Sequence, residues 1–501
     1  MIAKTSVASE PARRESPPAP LGSAPARPGE GRSDDGEGRS GSAAAHRGGA
    51  APTACAPSSG AAQPLSGWGR ISAPGREIPG ERLESATRGA ALCRGLGRSY
   101  GDSSLPAQPG DKLVSTVLAD RVLAFDRETG VLRAEAGLSL AQVNRLIMPH
   151  GWFPPVTPGT KYVTLGGMVA SDVHGKNHHR AGCFGGHVRA LRMRLADDQL
   201  IDCSPHEHAD LFWATVGGMG LLGHILEVEF QLERIASPWI WQESERIGNI
   251  DEFLAAFASS SRQWPMTVGW IDCVRGGSAL GRGILIAGRW ATKEEAPPTP
   301  AKPPRELTLP FDVPGWAPNP FTNAARLFNT VYYHRHVPRQ KRGIVSPETF
   351  FYPLDAILHW NRVYGSRGFT QYQCVLPRAA GAAAVRELMV EVTRLGGASP
   401  VCVIKDCGPE GQGLLSFPLE GTSIAIDMAV TADTQRRIDR LNEFVIAAGG
   451  RMYLTKDRFT RAEHFRAMEP RLPRFLAARD QWDPGRRLRS AQSVRLLGDR
   501  A

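Results

Sequence analysis

The sequence predicts an α+β fold behind a disordered N-terminal tail, and three observations carry that reading. From about residue 71 onward, short β-rich runs alternate with glycine-rich turns. Helical periodicity comes in short stretches at first and in two longer ones beyond residue 379. Residues 1–65 are dominated by Ala, Pro, Gly, Ser and Arg with hardly a large apolar side chain. Such a segment cannot bury enough surface to offset its chain entropy. The whole 501-residue chain fits two or three domains at roughly 100–200 residues each.

Residues 113–117 (LVSTV) and 131–136 (VLRAEA) read as strands. Residues 138–150 have the apolar spacing of a helix, and Ser139 is placed to cap it. Strands follow at 191–195 and 224–232, with a helix over 210–216 that ends at Gly217 and Gly218. These elements compose a first domain over 66–236. The segment 237–449 is richer in aromatics, including Trp239, Trp241, Trp264, Trp270, Trp290 and Trp360. It reads as a sheet, with strands at 370–376, 401–405 and 423–429, covered on one face by amphipathic helices over 379–395 and 434–448. The Pro-rich run 296–304 reads as an exposed loop inside this domain. Residues 450–501 are Arg-rich, with helical texture at 462–468 and 470–480.

Composition narrows the function. The 60 Lys and Arg exceed the 50 Asp and Glu by a formal +10, a mild excess that favours anionic partners without selecting one. A solvated basic surface explains it more simply than a nucleic-acid face. No run reaches the roughly 18 apolar residues that span a bilayer, and no apolar core of a secretory signal opens the chain. The eight cysteines are scattered, with no CxxC and no His at zinc spacing. Single buried thiols suit a reducing compartment, so the cytoplasm is the expected location and no metal is expected.

Three glycine-rich loops carry the chemistry. The first is CRGLGRSYGDS (93–103), whose glycines let backbone N–H groups approach an anion. Arg98, Ser99 and Ser103 add donors for a pyrophosphate. It lacks the Gly-Lys-Ser/Thr ending of a phosphate-binding P-loop and the long helix of a dinucleotide fingerprint. The second joins Pro158-Gly159-Thr160 to TLGGMVASDVHGKNHH (164–179). It gathers three His, a Lys and an Asp beside a flat or anionic ligand, and adjacent His178 and His179 cannot chelate one ion as an i, i+4 pair would. The third is GGMGLLGHIL (217–226), a glycine turn feeding a strand.

In this order the loops resemble the FAD-binding domain of the PCMH-type, vanillyl-alcohol-oxidase superfamily. Within it, DVHGKNHH followed by AGCFG (181–185) is similar to the decaprenylphosphoryl-β-D-ribose 2-oxidase family. That family is the flavin subunit of an epimerase that turns a lipid-linked ribose into arabinose. The likeness continues through FFYPLD (350–355), WNR (360–362), FTQYQ (369–373), LSFP (415–418) and YLTKD (453–457).

The resemblance implies a two-domain fold: an FAD-binding PCMH-type domain over 66–236 and a substrate-binding domain on a mixed or antiparallel sheet over 237–449. Residues 450–501 would return to the flavin site. The implied cofactor is FAD, with its pyrophosphate along Arg94, Gly95, Leu96, Gly97, Arg98, Ser99, Tyr100, Gly101, Asp102 and Ser103. Its isoalloxazine would rest near Gly159, Thr164, Leu165, Gly166, Gly167, Ser171, Asp172, Val173 and His174. Ile225 would lie toward the adenine, and Tyr453 completes the cofactor set. Many relatives tether the flavin through a histidine where this chain has Arg98. A guanidinium cannot form that bond, so the FAD is expected to be non-covalent.

The matching substrate residues are Lys176, Gln371, Gln373, Lys405, Ser423 and Lys456, with His174 and Tyr453 beside them. A secondary alcohol that loses a hydride must also lose its hydroxyl proton. Lys456 is the first choice of base and His174 the second. Lys176 and Lys405 can pair with phosphate, and Gln371 and Gln373, at i and i+2 on a strand, face one side to orient sugar hydroxyls. The implied activity is FAD-dependent oxidation of the C2 hydroxyl of a polyprenylphosphoryl pentose, the first half of an epimerisation. An NAD(P)H-dependent short-chain reductase would complete it. A free alditol or a sugar lactone is the competing substrate. A basic nucleic-acid-binding protein is the distant alternative. It would interleave aromatics with Arg and Lys on a stacking surface, whereas the tryptophans here sit among apolar neighbours, so no nucleic-acid partner is expected. The run HRHVPRQKR (334–342) offers positive charge for peripheral contact with an anionic membrane.

One position departs from the mycobacterial pattern, which has a Cys two residues before a pocket Asp. In SIAID (423–427) that place holds Ala425. The thiol is the family's target for nitro-aromatic covalent inhibitors. Oxidation of substrate without covalent trapping is therefore expected, and a stable adduct in the intact mass of inhibitor-treated protein would refute it.

Overall fold

The computed structural model describes residues 63–299, 305–314 and 324–501. Polar, proline-bearing Gln63–Ser66 has no apolar face of its own, yet it forms a strand because Ser72–Pro79 offers an antiparallel partner. Ordered structure thus begins within the segment read as tail, and the rest of that segment, 1–62, lies outside the described residues. Ser72–Pro79, Lys112–Ser115 and Leu92–Arg94 continue this four-stranded sheet in parallel. A five-stranded antiparallel sheet follows in the order Val122–Phe125, Val131–Glu135, His224–Gln231, Val188–Arg194, Leu200–Cys203. The helix Leu140–Ile147 begins with a capping box: Ser139 Oγ accepts from Gln142 N–H while the Gln142 side chain returns to the Ser139 backbone. Such a cap contributes about 1 kcal/mol.

The second half is an eight-stranded sheet, antiparallel throughout. Its order is Gln340–Val345, Ile240–Ile247, Gly283–Trp290, Met266–Ile271, Ala398–Cys407, Gly421–Ala429, Phe369–Pro377, Arg451–Met452. The first four of these strands escaped the sequence reading: charged residues break the apolar runs of Ile240–Ile247 (IWQESERI) and Gln340–Val345 (QKRGIV), whereas Met266–Ile271 (MTVGWI) and Gly283–Trp290 (GILIAGRW) are apolar runs that could have been read as strands. The last strand lies past the expected boundary at 449 and bonds to Cys374 and Val375. Helices Ile250–Gln263, Gly381–Leu395 and Thr434–Ala447 pack on the sheet. Strand alternation puts Ile404, Ile424, Ile426 and Tyr372 on one face. The opposite face receives Lys405, Ser423, Ala425, Asp427, Gln371 and Gln373. A single core cluster runs through both halves, joining Leu140, Phe184 and Phe230 to Phe253, Ile404 and Ile426.

The run expected as a Pro-rich loop bends at residues 296–299, and 300–304 lie outside the described residues. No helix among the described residues is long and apolar enough to cross a membrane.

Candidate active site

The first glycine loop leaves Leu92–Arg94 and presses against two other segments. A Cβ on Gly95 would lie 2.3 Å from Thr164 Oγ1, and one on Gly101 would lie 1.6 Å from the Asp457 carbonyl oxygen. Only glycine permits either approach. Among the described residues, the amides of Gly95, Leu96, Gly97, Arg98 and Ser99 donate to no protein acceptor. Five consecutive donors without side-chain obstruction at Gly95 and Gly97 form a concavity that fits a pyrophosphate.

The charged side chains of this loop point elsewhere. Arg94 pairs with Glu77 at 3.2 Å and donates to the Ser66 carbonyl at 2.6 Å. The Arg98 guanidinium lies 4.1 Å over the Trp68 ring and 5.2 Å from the Tyr162 ring, so the expected pyrophosphate donor is held between aromatic faces. Its Nε is buried without a partner. Asp102, 1% exposed, is clasped bidentately by Arg495 at 2.8 and 2.9 Å and by Arg458 at 3.1 Å. Arg495 also reaches Asp457 at 2.8 Å. Asp102 therefore ties the loop to the C-terminal segment. Ser103 is buried. The Tyr100 ring packs on Phe369 and carries Lys456 Nζ 3.6 Å from its centroid.

In the second loop, Thr164 caps the helix Leu165–Ala170, which carries Leu165, Gly166 and Gly167. Gly159 faces open space. The Ser171 carbonyl accepts from Tyr453 Oη at 2.9 Å. Asp172 holds a left-handed backbone (φ 36°) because its carboxylate takes the Gly185 N–H at 2.8 Å and the Ser416 hydroxyl. Burial raises its pKa above the usual carboxylate range. Asp172 thus braces the loop, with both oxygens engaged by protein. Val173 is buried beside it, and Ile225 is buried on the strand His224–Gln231.

His174 reaches the polar face of the large sheet. It sits between Phe417 and Tyr453, with ring centroids at 5.3 and 5.1 Å. Gln373 Nε2 lies 3.0 Å from His174 Nε2. An amide nitrogen only donates, so the imidazole Nε2 accepts and its proton sits on Nδ1. Burial first, then the Lys405 charge, lowers the His174 pKa well below the ordinary value. Gln373 also reaches Ser423 Oγ at 3.4 Å, and Gln371 donates to Asp427 Oδ1 across the ladder. Lys405 pairs in register with Ser423, and Ala425 with Gln373.

Three lysines close around this face. Lys176 donates to the Phe351 carbonyl at 3.0 Å. Burial and the Lys405 charge lower its pKa to about 7. Lys405 is itself lowered by burial. Lys456 falls to about 7, by burial and by Lys405, against the opposing pull of Asp427. Burial raises Asp427, whose Oδ2 has no partner. Like charges forced together in a desolvated site give up protons readily or seek an anion. The arrangement can therefore hold a phosphate and take a proton from a hydroxyl.

Several functional neighbours escaped sequence reasoning, although Asp427, the pocket Asp of SIAID, was in view there. Tyr352 and Asp355 lie within FFYPLD, yet nothing local shows that the Tyr352 hydroxyl meets Thr157 at 2.6 Å and Asn144 at 3.0 Å. Asp355 accepts from the Lys161 N–H at 2.8 Å. Trp68 gave no signal. His178 accepts from the Gly408 N–H, and His179 bonds the Trp264 carbonyl, so both brace the loop.

Residues 83–204 match a family described as an FAD binding domain. The chain is 34% identical over 442 residues to the decaprenylphosphoryl-β-D-ribose oxidase of Mycolicibacterium smegmatis, covering 84% of this chain and 94% of that protein. An uncharacterized protein of Streptomyces coelicolor is 31% identical over 363 residues, 69% of this chain and 96% of that one. The human Δ24-sterol reductase is 27% identical over 142 residues, 28% of this chain and 27% of its own length.

Proposed function

The chain belongs to the decaprenylphosphoryl-β-D-ribose oxidase family and is an FAD-dependent oxidoreductase, and from this premise we propose that it oxidises the C2 hydroxyl of a polyprenylphosphoryl pentose to the 2-keto sugar. The observation that carries the proposal is the convergence of Lys176, Lys405 and Lys456 with His174, Gln371 and Gln373 on one sheet face. An uncharged alditol needs no such group of cations. A sugar phosphate needs both a phosphate counter-charge and a base.

The amides of residues 95–99 would hold the pyrophosphate of FAD, and the second loop would lie along its ring system. Bound FAD supplies the two-electron acceptor for the alcohol. Lys456 accepts the hydroxyl proton at Nζ, since a pKa near 7 leaves a usable fraction of neutral amine. His174 is less suited to that role, because its Nε2 lone pair is taken by Gln373. His174 and Gln373 instead orient the sugar, while Lys176 and Lys405 face the phosphate. The ketone leaves as the substrate of a second enzyme, an NAD(P)H-dependent short-chain reductase, which completes the epimerisation.

The test is anaerobic titration of the yellow protein. A polyprenylphosphoryl-β-D-ribose should bleach the flavin band, while free alditols and sugar lactones leave it intact. Acid precipitation of the same sample should release all flavin to the supernatant. Bleaching by an alditol or lactone alone would overturn the substrate assignment, and flavin retained in the pellet would overturn the non-covalent one.

A further inference from the structure

The helix Ala325–His334 carries its apolar residues on the side that faces water. Its inward side holds Ala325, Asn329 and Tyr332. Asn329 donates to Asp272 at 2.8 Å, and the Tyr332 ring meets Trp270 at 4.8 Å. Its outward side holds Leu327, 69% exposed, and Val331, 58% exposed, one turn apart. Val337, 65% exposed, lies just beyond the helix end. Around them stand Arg326, Arg335 and Lys341, all exposed and none within ion-pair distance of a carboxylate among the described residues. Lys341 sits on Gln340–Val345, an edge strand of the large sheet, in register with Ser244, whose Oγ lies 3.4 Å from His336 Nε2 just beyond the helix.

A second group of apolar side chains is also exposed. Leu307 and Phe311 (57% and 67% exposed) belong to the flap 305–314, which pairs with Ile357–Leu358. This flap borders the site: Glu306 accepts from Tyr162 Oη at 2.6 Å and pairs with Lys161. A chain of contacts links it to the helix: Val313 to Arg362, the short helix Trp360–Tyr364, Tyr364 to Ser399, then Pro400 to Trp270 and Tyr332.

We propose that the outward face of Ala325–His334, with its basic rim, is the surface by which the enzyme docks on an anionic lipid bilayer. Apolar side chains surrounded by unpaired cations match the interfacial region of such a bilayer, where acyl chains lie beneath anionic headgroups. The proposal rests on the polyprenyl substrate for its purpose and on the helix for its location, and its test separates the two.

Full-length protein is sedimented with vesicles of phosphatidylcholine and phosphatidylglycerol in equal parts, and with phosphatidylcholine alone. Wild-type protein should pellet with the anionic vesicles and remain in solution with the neutral ones. The double variant Leu327→Glu, Val331→Glu should bind the anionic vesicles at least about tenfold more weakly. Lys341→Glu should weaken binding by about fivefold or more. All variants should retain flavin and full turnover of a short-chain, water-soluble polyprenylphosphoryl sugar. Wild-type protein left in solution, or variants that pellet like wild type, would overturn the proposal. So would a wild-type dimer in size-exclusion chromatography that Leu327→Glu, Val331→Glu splits without changing vesicle binding, because the face would then join two copies. Vesicle binding without flavin bleaching by any polyprenylphosphoryl sugar would leave the docking surface standing and remove the substrate assignment.

Discussion

Lys456→Met is expected to lower kcat/KM for the polyprenylphosphoryl sugar by roughly 10²–10⁴-fold, the usual contribution of a positioned acid or base, while FAD content stays at the wild-type level. The pH profile gives the sharper readout. Burial and Lys405 hold the Lys456 pKa down near 7, so wild-type activity should rise as pH climbs through about 7 and the neutral amine accumulates. In Lys456→Met that limb should vanish. Asp427→Asn offers an independent check. Asp427 raises the Lys456 pKa, so removing its charge should move the limb to lower pH. A wild-type limb persisting in Lys456→Met would assign proton transfer to another group, with His174 next in line.

Arg495→Ala is expected to destabilise the fold by about 3–5 kcal/mol, because it strands two buried carboxylates, Asp102 and Asp457, without their shared cation. Urea unfolding followed by flavin fluorescence reads the loss as a lower midpoint. The same variant should bind FAD more weakly, since Asp102 belongs to the loop that fits the pyrophosphate. Arg458→Ala provides the contrast. Its side chain is 35% exposed and makes one contact to Asp102 at 3.1 Å, so its effect should be well under half as large. Equal effects from the two variants would show that Arg495 is not the principal clasp.

How much of this was legible in the sequence follows the range of each interaction. Ser139 and Gln142 lie three residues apart and announce a helix start without help from the rest of the chain. The strand Phe369–Pro377 and helix Gly381–Leu395 have strong local periods and emerge within a residue or two of their expected ends. Ile240–Ile247 has no comparable pattern, because its charged residues are tolerated only through pairing with neighbouring strands. The same holds for site chemistry. Motif resemblance brought Lys176, Lys405 and Lys456 forward, but not the direction of their neighbours' side chains. Arg98 reads as an anion donor until Trp68 and Tyr162 take up its faces, and Asp172 reads as a ligand until Ser416 arrives from 244 positions away. The helix Ala325–His334, whose outward side carries Leu327 and Val331, was not read from the sequence.

The clasp on Asp102 also sets an order of events during biosynthesis. A ribosome delivers the first glycine loop early, yet Arg495, which neutralises Asp102, is made 393 positions later. Gly101 likewise waits for Asp457, whose carbonyl it meets. A nascent chain can form the sheets around the loop, but the loop itself gains its closing partners only after nearly all of the protein has left the exit tunnel. Locking of the loop is therefore expected to wait for the last residues of the chain, and a product truncated before Arg495 would carry the first glycine loop without the cation that clasps Asp102.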